Sequence, residues 1–302
     1  LLLAVSYVSA AGGMLVLAEA LLRRRAETSR IYALKLLRPT ERTSHLVGAA
    51  QSAESPTAAF GTLLYQAEQQ KLQLHPLSFV SSQPARDICD VAKVKGSNLV
   101  LLGWHRPLLN RAALGGTVNE VLENAPCDVA VLVDRGLSQI KRVLVPYHGT
   151  GDDLAALALA RRLSEQAGVE VTVLHVVPEG RKPGEQRLGV VEQVNEVFRE
   201  PSTSGSHAAP SAQGGTLGGG SAEEGPRVNI KVVEAEEPAE AALRETMSLP
   251  GREDAPGYDL VLVGVGSDWG LGQRQFGINQ EYFIRKCPIS LLVVHKHVSG
   301  PS

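Results

Sequence analysis

The sequence predicts an α/β protein built from two tandem, mainly parallel, doubly wound sheets. Three observations lead there. Short apolar runs of strand length alternate with stretches of helical period through the first half of the chain. The same order then recurs in the second half. In each half a glycine-rich segment follows the fourth apolar run and leads into a helix, as loops at the ends of parallel strands do.

In the first half Leu1–Ser6 reads as a strand and Met14–Arg25 as a helix with Leu15, Ala18 and Leu22 on one face. The apolar stretch Leu1–Leu22 also has the length of a membrane span. Ser6, Ser9, Gly12-Gly13 and Glu19 interrupt it, which favours strand, loop and helix. No basic stretch precedes the apolar core, as a signal peptide requires. Arg30–Leu37 is the next strand, closed by Arg38-Pro39, and Thr40–Thr57 is polar and reads as loop or helix start. Ala58–Leu72 is a helix, with Phe60, Leu63, Leu64 and Ala67 at i, i+3, i+4 and i+7. Leu74–Val80 is a strand that Pro76 restricts to a sheet edge. Pro84–Lys95 is a helix ended by Gly96.

The stretch Ser97–Val133 follows: strand Asn98–Leu102, a loop with Gly103, Arg106 and Gly115-Gly116-Thr117, a helix to Asn124, and strand Asp128–Val133. Thr117 with Glu120 has capping-box spacing. Such a loop either holds a phosphate on backbone N–H groups at the helix start or only makes a tight turn.

The second half runs through strand Lys141–Tyr147, helix Asp153–Gln166 with Gly168 as its stop, strand Val169–Val177 and helix Glu185–Arg199. Strand Arg227–Ala235, helix Pro238–Met247, strand Tyr258–Val263, a glycine loop, a helix around Asn279–Arg285 and strand Ile289–His295 complete it. The expected domains are 1–137 and 138–302. Glu200–Pro226 is rich in Ser, Gly, Ala and Pro and reads as a disordered insertion, either a spacer or a regulatory tail.

Composition narrows the function. The chain has 302 residues, and 43% are apolar but only 4% aromatic, so its cores must be made of Leu, Val, Ile and Ala. A formal charge of -2 argues against a nucleic-acid surface. Cys89, Cys127 and Cys287 lie far apart without a CxxC pair and read as reduced apolar residues. His105 and His175 have no ligand-spaced partners, so no metal is assigned. No nucleophile elbow, HExxH or Walker loop is present, Asp152-Asp153 reads as helix capping, and no catalytic residue is assigned.

The repeat order and glycine loops resemble the universal stress protein family, whose fold is adenine-nucleotide-hydrolase-like. The family's signature is Gly, two residues, Gly, nine residues, Gly, then Ser or Thr. Here Gly103 is followed by two residues, Arg106, nine residues and Gly116-Thr117, with Arg106 in place of a glycine. The second repeat has Gly264, two residues, Ser267, nine residues and Gly277-Ile278. The resemblance implies a nucleotide site at Gly103, Arg106, Gly115, Gly116 and Thr117, and a weaker one at Gly264, Gly266, Ser267 and Gly277, where Asp268 repels phosphate. ATP, AMP or a cyclic dinucleotide is the ligand it implies, with the two repeats packed as a pseudo-dimer. Arg106 either pairs with phosphate or is a surface arginine. The family's aspartate after the first strand falls by position on Val8 and His148, neither a carboxylate.

The segments RIYALKLLRPTERTS (Arg30–Ser44), VPYHGTGDDLAALALARRL (Val145–Leu163) and GGTVNEVLENAPCDVAVLVDRG (Gly115–Gly136) resemble the cytosolic C-terminal region of monovalent cation (Na+ or K+)/proton antiporters. That resemblance implies a regulatory region on the cytoplasmic face of the membrane. Its partner is a transporter membrane domain upstream in the same polypeptide, through which it forms a homodimer. A chain beginning at Leu1 rather than Met fits a piece of such a protein. Two other readings stay open: a freestanding tandem stress protein binding ATP or AMP, and a scaffold without ligand.

Overall fold

The computed structural model describes residues 1–5, 11–25, 29–37, 60–104, 116–177, 183–199, 228–247, 257–265 and 283–297. Ten strands form one sheet: β1 (Leu2–Ala4), β2 (Ile31–Leu37), β3 (Leu74–Val80), β4 (Leu99–Gly103), β5 (Asp128–Val133), β6 (Arg142–Pro146), β7 (Glu170–Val177), β8 (Val228–Glu234), β9 (Leu260–Gly264) and β10 (Ser290–His295). Their order is β3-β2-β1-β4-β5-β10-β9-β6-β7-β8. Each half is the same all-parallel arrangement, and the two mirror one another about β5·β10, the antiparallel pair. That seam runs from Leu291 opposite Val133 to His295 opposite Val129. The expected two sheets are thus joined edge to edge into one. Pro76 does lie in an edge strand, β3.

Alternation along the strands divides the apolar side chains between two faces. On one face Leu3, Leu101, Val145 and Leu262 pack with α1 (Ala11–Leu22), α2 (Gly61–Gln69), α5 (Gly151–Ala167) and α6 (Pro183–Arg199). On the other, Leu2, Val100, Leu144 and Val261 pack with α3 (Pro84–Val94), α4 (Gly116–Asn124), α7 (Pro238–Thr246) and the helical residues 283–286. Almost every position in the central strands β4, β5, β9 and β10 is buried, which explains their unbroken Val/Leu runs. Phe60, Tyr147 and Phe283 are the few large aromatic members of a core otherwise made of Leu, Val, Ile and Ala.

The apolar N-terminal stretch is a core strand and a core helix. Leu2 and Leu3 are fully buried, and α1 buries residues around its circumference, from Ala11 to Leu22. A 3-10 turn, Arg23–Arg25, follows it. α1 packs against α5 of the other half, and the backbone N–H of Arg24 donates to Gln166 Oε1 at 3.1 Å. Gly96 and Gly168 end α3 and α5 with φ of 57° and 66°, as expected of left-handed stops. Both β4 and β9 extend one residue beyond expectation, to Gly103 and Gly264. The expected insertion 200–226 lies outside the described residues.

Candidate functional site

Strand order reverses between β1 and β4 in the first half and between β6 and β9 in the second, so each half has a crevice at the carboxyl ends of those strands. In the first half Gly103 pairs with Leu132, and the Trp104 N–H donates to Leu132 O at 2.8 Å. A Cβ at Gly103 would meet only the Met14 sulfur of α1, at 3.5 Å, an ordinary contact. Gly116 opens α4, and a Cβ there meets nothing within 4 Å. The helix starts at Gly116, so Thr117 lies inside its first turn rather than at the expected cap. Gly103 and Gly116–Thr117 therefore stand at the two ends of one β4–α4 connection. Arg106 and Gly115 lie outside the described residues.

The second crevice is built differently. A Cβ at Gly264 would lie 2.5 Å from the Asp152 carbonyl carbon and 2.7 Å from Asp153 Oδ1. Only glycine lets the end of β9 come this close to the first turn of α5. Asp153 is completely buried. Its Oδ2 accepts from the backbone N–H groups of His148 (3.1 Å) and Thr150 (3.2 Å), while Thr150 Oγ1 accepts from the Asp153 N–H at 3.1 Å. This is a complete capping box. Asp152 Oδ1 accepts from the Lys296 N–H at 2.7 Å and lies 3.1 Å from His295 Nδ1. The N–H groups of His148 and Thr150, two of the three residues between β6 and α5 beyond Tyr147, are thus already held by Asp153. Gly266, Ser267 and Gly277 lie outside the described residues, as does Val8 of the first half.

Sequence reasoning missed a polar cluster beside this loop. His175 Nδ1 lies 2.9 Å from the carbonyl oxygen of Tyr147. A carbonyl only accepts, so this nitrogen carries the proton. The His148 ring stands edge-on to it, centroids 5.8 Å apart. Burial pushes the His175 pKa down; the bond to Tyr147 opposes this and His148 adds to it. The Tyr147 hydroxyl donates to Gln193 Oε1 at 3.0 Å, and its pKa is pushed up to about 12 by burial and then by Asp153. His148 and His175 are 27 positions apart in the chain, and only the β6·β7 pairing brings them together. Among the described residues no group of three or more His, Cys, Asp or Glu side chains could hold a metal ion. The three cysteines are free, and burial raises Cys127 and Cys287 to about 11, which leaves them protonated at neutral pH.

Two mirrored 3-2-1-4-5 parallel halves, each with a crevice at its switch point, define a tandem doubly wound α/β protein. The sequence model of the universal stress protein family matches residues 5–132 and again 139–295. The chain belongs to the universal stress protein family and carries its domain twice. It is similar to a universal stress protein from Archaeoglobus fulgidus, with a TM-score of 0.59, 16% identity, and 98% of this chain and 96% of that one covered. A likeness of fold also extends to the cytoplasmic domain of a prokaryotic cation chloride cotransporter, with a TM-score of 0.50, 10% identity, and 98% and 94% covered. Among curated proteins it is 31% identical over 141 residues to Cation/H(+) antiporter 17 of Arabidopsis thaliana, covering 40% of this chain and 17% of that protein. It is 35% identical over 119 residues to the Na(+)/H(+) antiporter NhaS5 of Synechocystis sp., covering 37% and 17%. The match thus spans about a sixth of those relatives' length. Among the described residues no helix is long and apolar enough to cross a membrane.

Proposed function

We propose that this chain is the regulatory, cytosolic region of a monovalent cation (Na+ or K+)/proton antiporter, and that its first repeat is the half that senses a nucleotide. The observation that carries the first part is the similarity to cation/proton antiporters of a plant and a cyanobacterium at 31% and 35% identity. The reading divides the chain at 137/138, places a membrane domain upstream in the same polypeptide, and makes that domain the route to a homodimer. It assigns no reaction to the chain. Exchange assayed in vesicles holding the complete gene product, with and without this region, tests it. An altered set point of exchange on deletion is expected. An upstream reading frame that lacks apolar spans would end the antiporter reading.

The nucleotide part rests on the contrast between the crevices. In the second, Asp153 occupies the N–H groups of His148 and Thr150, and a buried carboxylate repels phosphate. In the first, Gly103, Gly116 and Thr117 frame the connection, with Arg106 as the charge-assisted phosphate contact and Gly115 beside it. Titration of the chain with ATP, AMP and cyclic dinucleotides is expected to show one saturable site, lost in Arg106→Ala with Thr117→Val. No binding by the wild type would leave a scaffold without ligand.

A further inference from the structure

The two repeats are clasped at both ends of the β5·β10 seam, and the clasps are related by register. Leu132 of β5 pairs with Gly103, and Val294 of β10 pairs with Gly264. Three residues further along each strand stand Arg135 and His297. The Arg135 N–H donates to Ser290 Oγ at 2.9 Å, and the His297 N–H donates to Asp128 Oδ1 at 2.9 Å. Ser290 and Asp128 are themselves register equivalents, paired with Leu260 and Leu99. The backbone clasp is therefore symmetric.

The side chains break that symmetry. The Arg135 guanidinium donates to the carbonyl of Ile284 at 2.9 Å, inside the short helix of the second repeat that follows its glycine loop. The last carbonyls of a helix have no partner within it, and a cation there also complements the helix dipole. Among the described residues His297 makes no such side-chain bond to α4, the matching helix of the first repeat. Asp134, the residue before Arg135, turns its carboxylate onto the N–H groups of Gly136 (2.9 Å) and Leu137 (2.8 Å). It also packs so closely on the start of α1 that a Cβ at Gly13 would lie 2.7 Å from its carboxyl carbon. Two residues before Asp134, the carbonyl of Leu132 accepts from Trp104, the first residue after Gly103.

We infer that Arg135 is a coupling residue found on one side of the seam: it ties the end of β4 in the first repeat, through β5, to the helical residues 283–286 of the second repeat. The chain of contacts is Trp104 N–H to Leu132 O, then Val133, Asp134 and Arg135, then Ile284 O. A change in the first crevice that shifts the end of β4 shifts the tether with it, while among the described residues the second repeat makes no equivalent side-chain bond to α4. Coupling of this kind is a free energy shared between two places, measurable by perturbing one and reading the other. It does not require that the first crevice take a nucleotide, and its test uses none.

The experiment is amide hydrogen exchange on the whole chain, wild type against Arg135→Ala. It is paired with fluorescence of Trp104 in a Trp269→Phe background, Trp104 being one of two tryptophans. Exchange is expected to rise about tenfold at 284–287 and by a smaller factor at Trp104 and α4, with a shift in Trp104 emission, while the β6·β7 core stays protected. Arg135→Lys, which keeps a charged donor, is expected to restore part of the protection at both places. If the rise stays confined to 284–287 and Trp104 emission is unchanged, Arg135 is a local cap and the coupling is refuted. If Arg135→Ala loosens the whole sheet, Ser290→Ala, which removes the hydroxyl that accepts from the Arg135 N–H and donates to Asp134 Oδ1 while leaving the guanidinium in place, decides by the same two readouts.

Discussion

Gly103 ends β4 and Gly264 ends β9, each paired to the fifth strand of its repeat, and each followed by a residue whose N–H donates to that strand. Their surroundings differ. Gly103 faces the flexible end of Met14, while Gly264 is pressed against the backbone of Asp152 and Asp153. One repeat thus keeps room beside its glycine, and the other uses its glycine to seat a helix. Tandem duplication lets this happen: one copy's strand end can be turned into packing while the other keeps space beside its glycine. The largest expected effect tests this directly. Gly264→Ala drives a methyl into backbone that cannot move aside and should cost about 3 kcal/mol in urea unfolding. Gly103→Ala should cost no more than about 0.5 kcal/mol, since Met14 can adjust its rotamer. Equal losses would erase the distinction between the crevices.

The next effect concerns what fills the second crevice. Asp153→Ala removes the acceptor for His148 and Thr150 and the reciprocal half of the capping box. Loss of a cap together with buried donors left unpaired predicts about 2 kcal/mol of destabilisation. It also predicts faster exchange at the His148 and Thr150 amides. If the amides keep their protection, the carboxylate is not what closes this loop.

Most of the fold was legible because its signals are local. The Val/Leu runs of β4, β5, β9 and β10, the stops at Gly96 and Gly168, and the edge role of Pro76 each follow from the residue itself and its near neighbours. Capping by Asp153 was legible for the same reason, whereas Asp152, read with it as a cap, turns to the Lys296 N–H. The site was less so. Whether Gly264 cradles a ligand or a helix depends on Asp153, more than a hundred positions away. The position after the first strand, His148, carries no carboxylate, and the one on this loop comes from Asp153 in the helix start, turned back onto the His148 and Thr150 N–H groups. Register also shifts the equivalence of the two strand ends. Val5 donates to Leu34 O as Tyr147 donates to Leu174 O, so 6–10 in the first half stand against only 148–150 in the second. A sequence alignment that matches Tyr7 with Tyr147 cannot see that difference in length.

The same register gives the smallest effect. Leu34 and Leu174 are equivalent, so Lys35 stands in the first repeat where His175 stands in the second. The first repeat therefore has no imidazole at this place, and the second should respond to acid where the first does not. His175 faces His148 and the carbonyl of Tyr147, the residue after β6, and Tyr147 in turn meets Asp153 from α5 and the neutral Gln193 from α6. On β8, Glu234 pairs with Val177, two residues along on the same side. The His175 pKa is lowered from 6.5 by burial, so the folded protein binds its proton less readily than the unfolded chain. Stability from this group is complete above pH 6.5 and declines as pH falls through the window between the unfolded and the lowered folded value. Protonation also places a positive charge edge-on to the His148 ring, against the strand end that Tyr147 ties to α6. Urea unfolding from pH 8 to 5 should therefore show a steeper acid loss in the wild type than in His175→Gln, and the two curves should run parallel above pH 7. Parallel curves across the whole range would mean that the buried imidazole is no more than a donor to Tyr147. The two repeats would then not differ in their response to protons at this position.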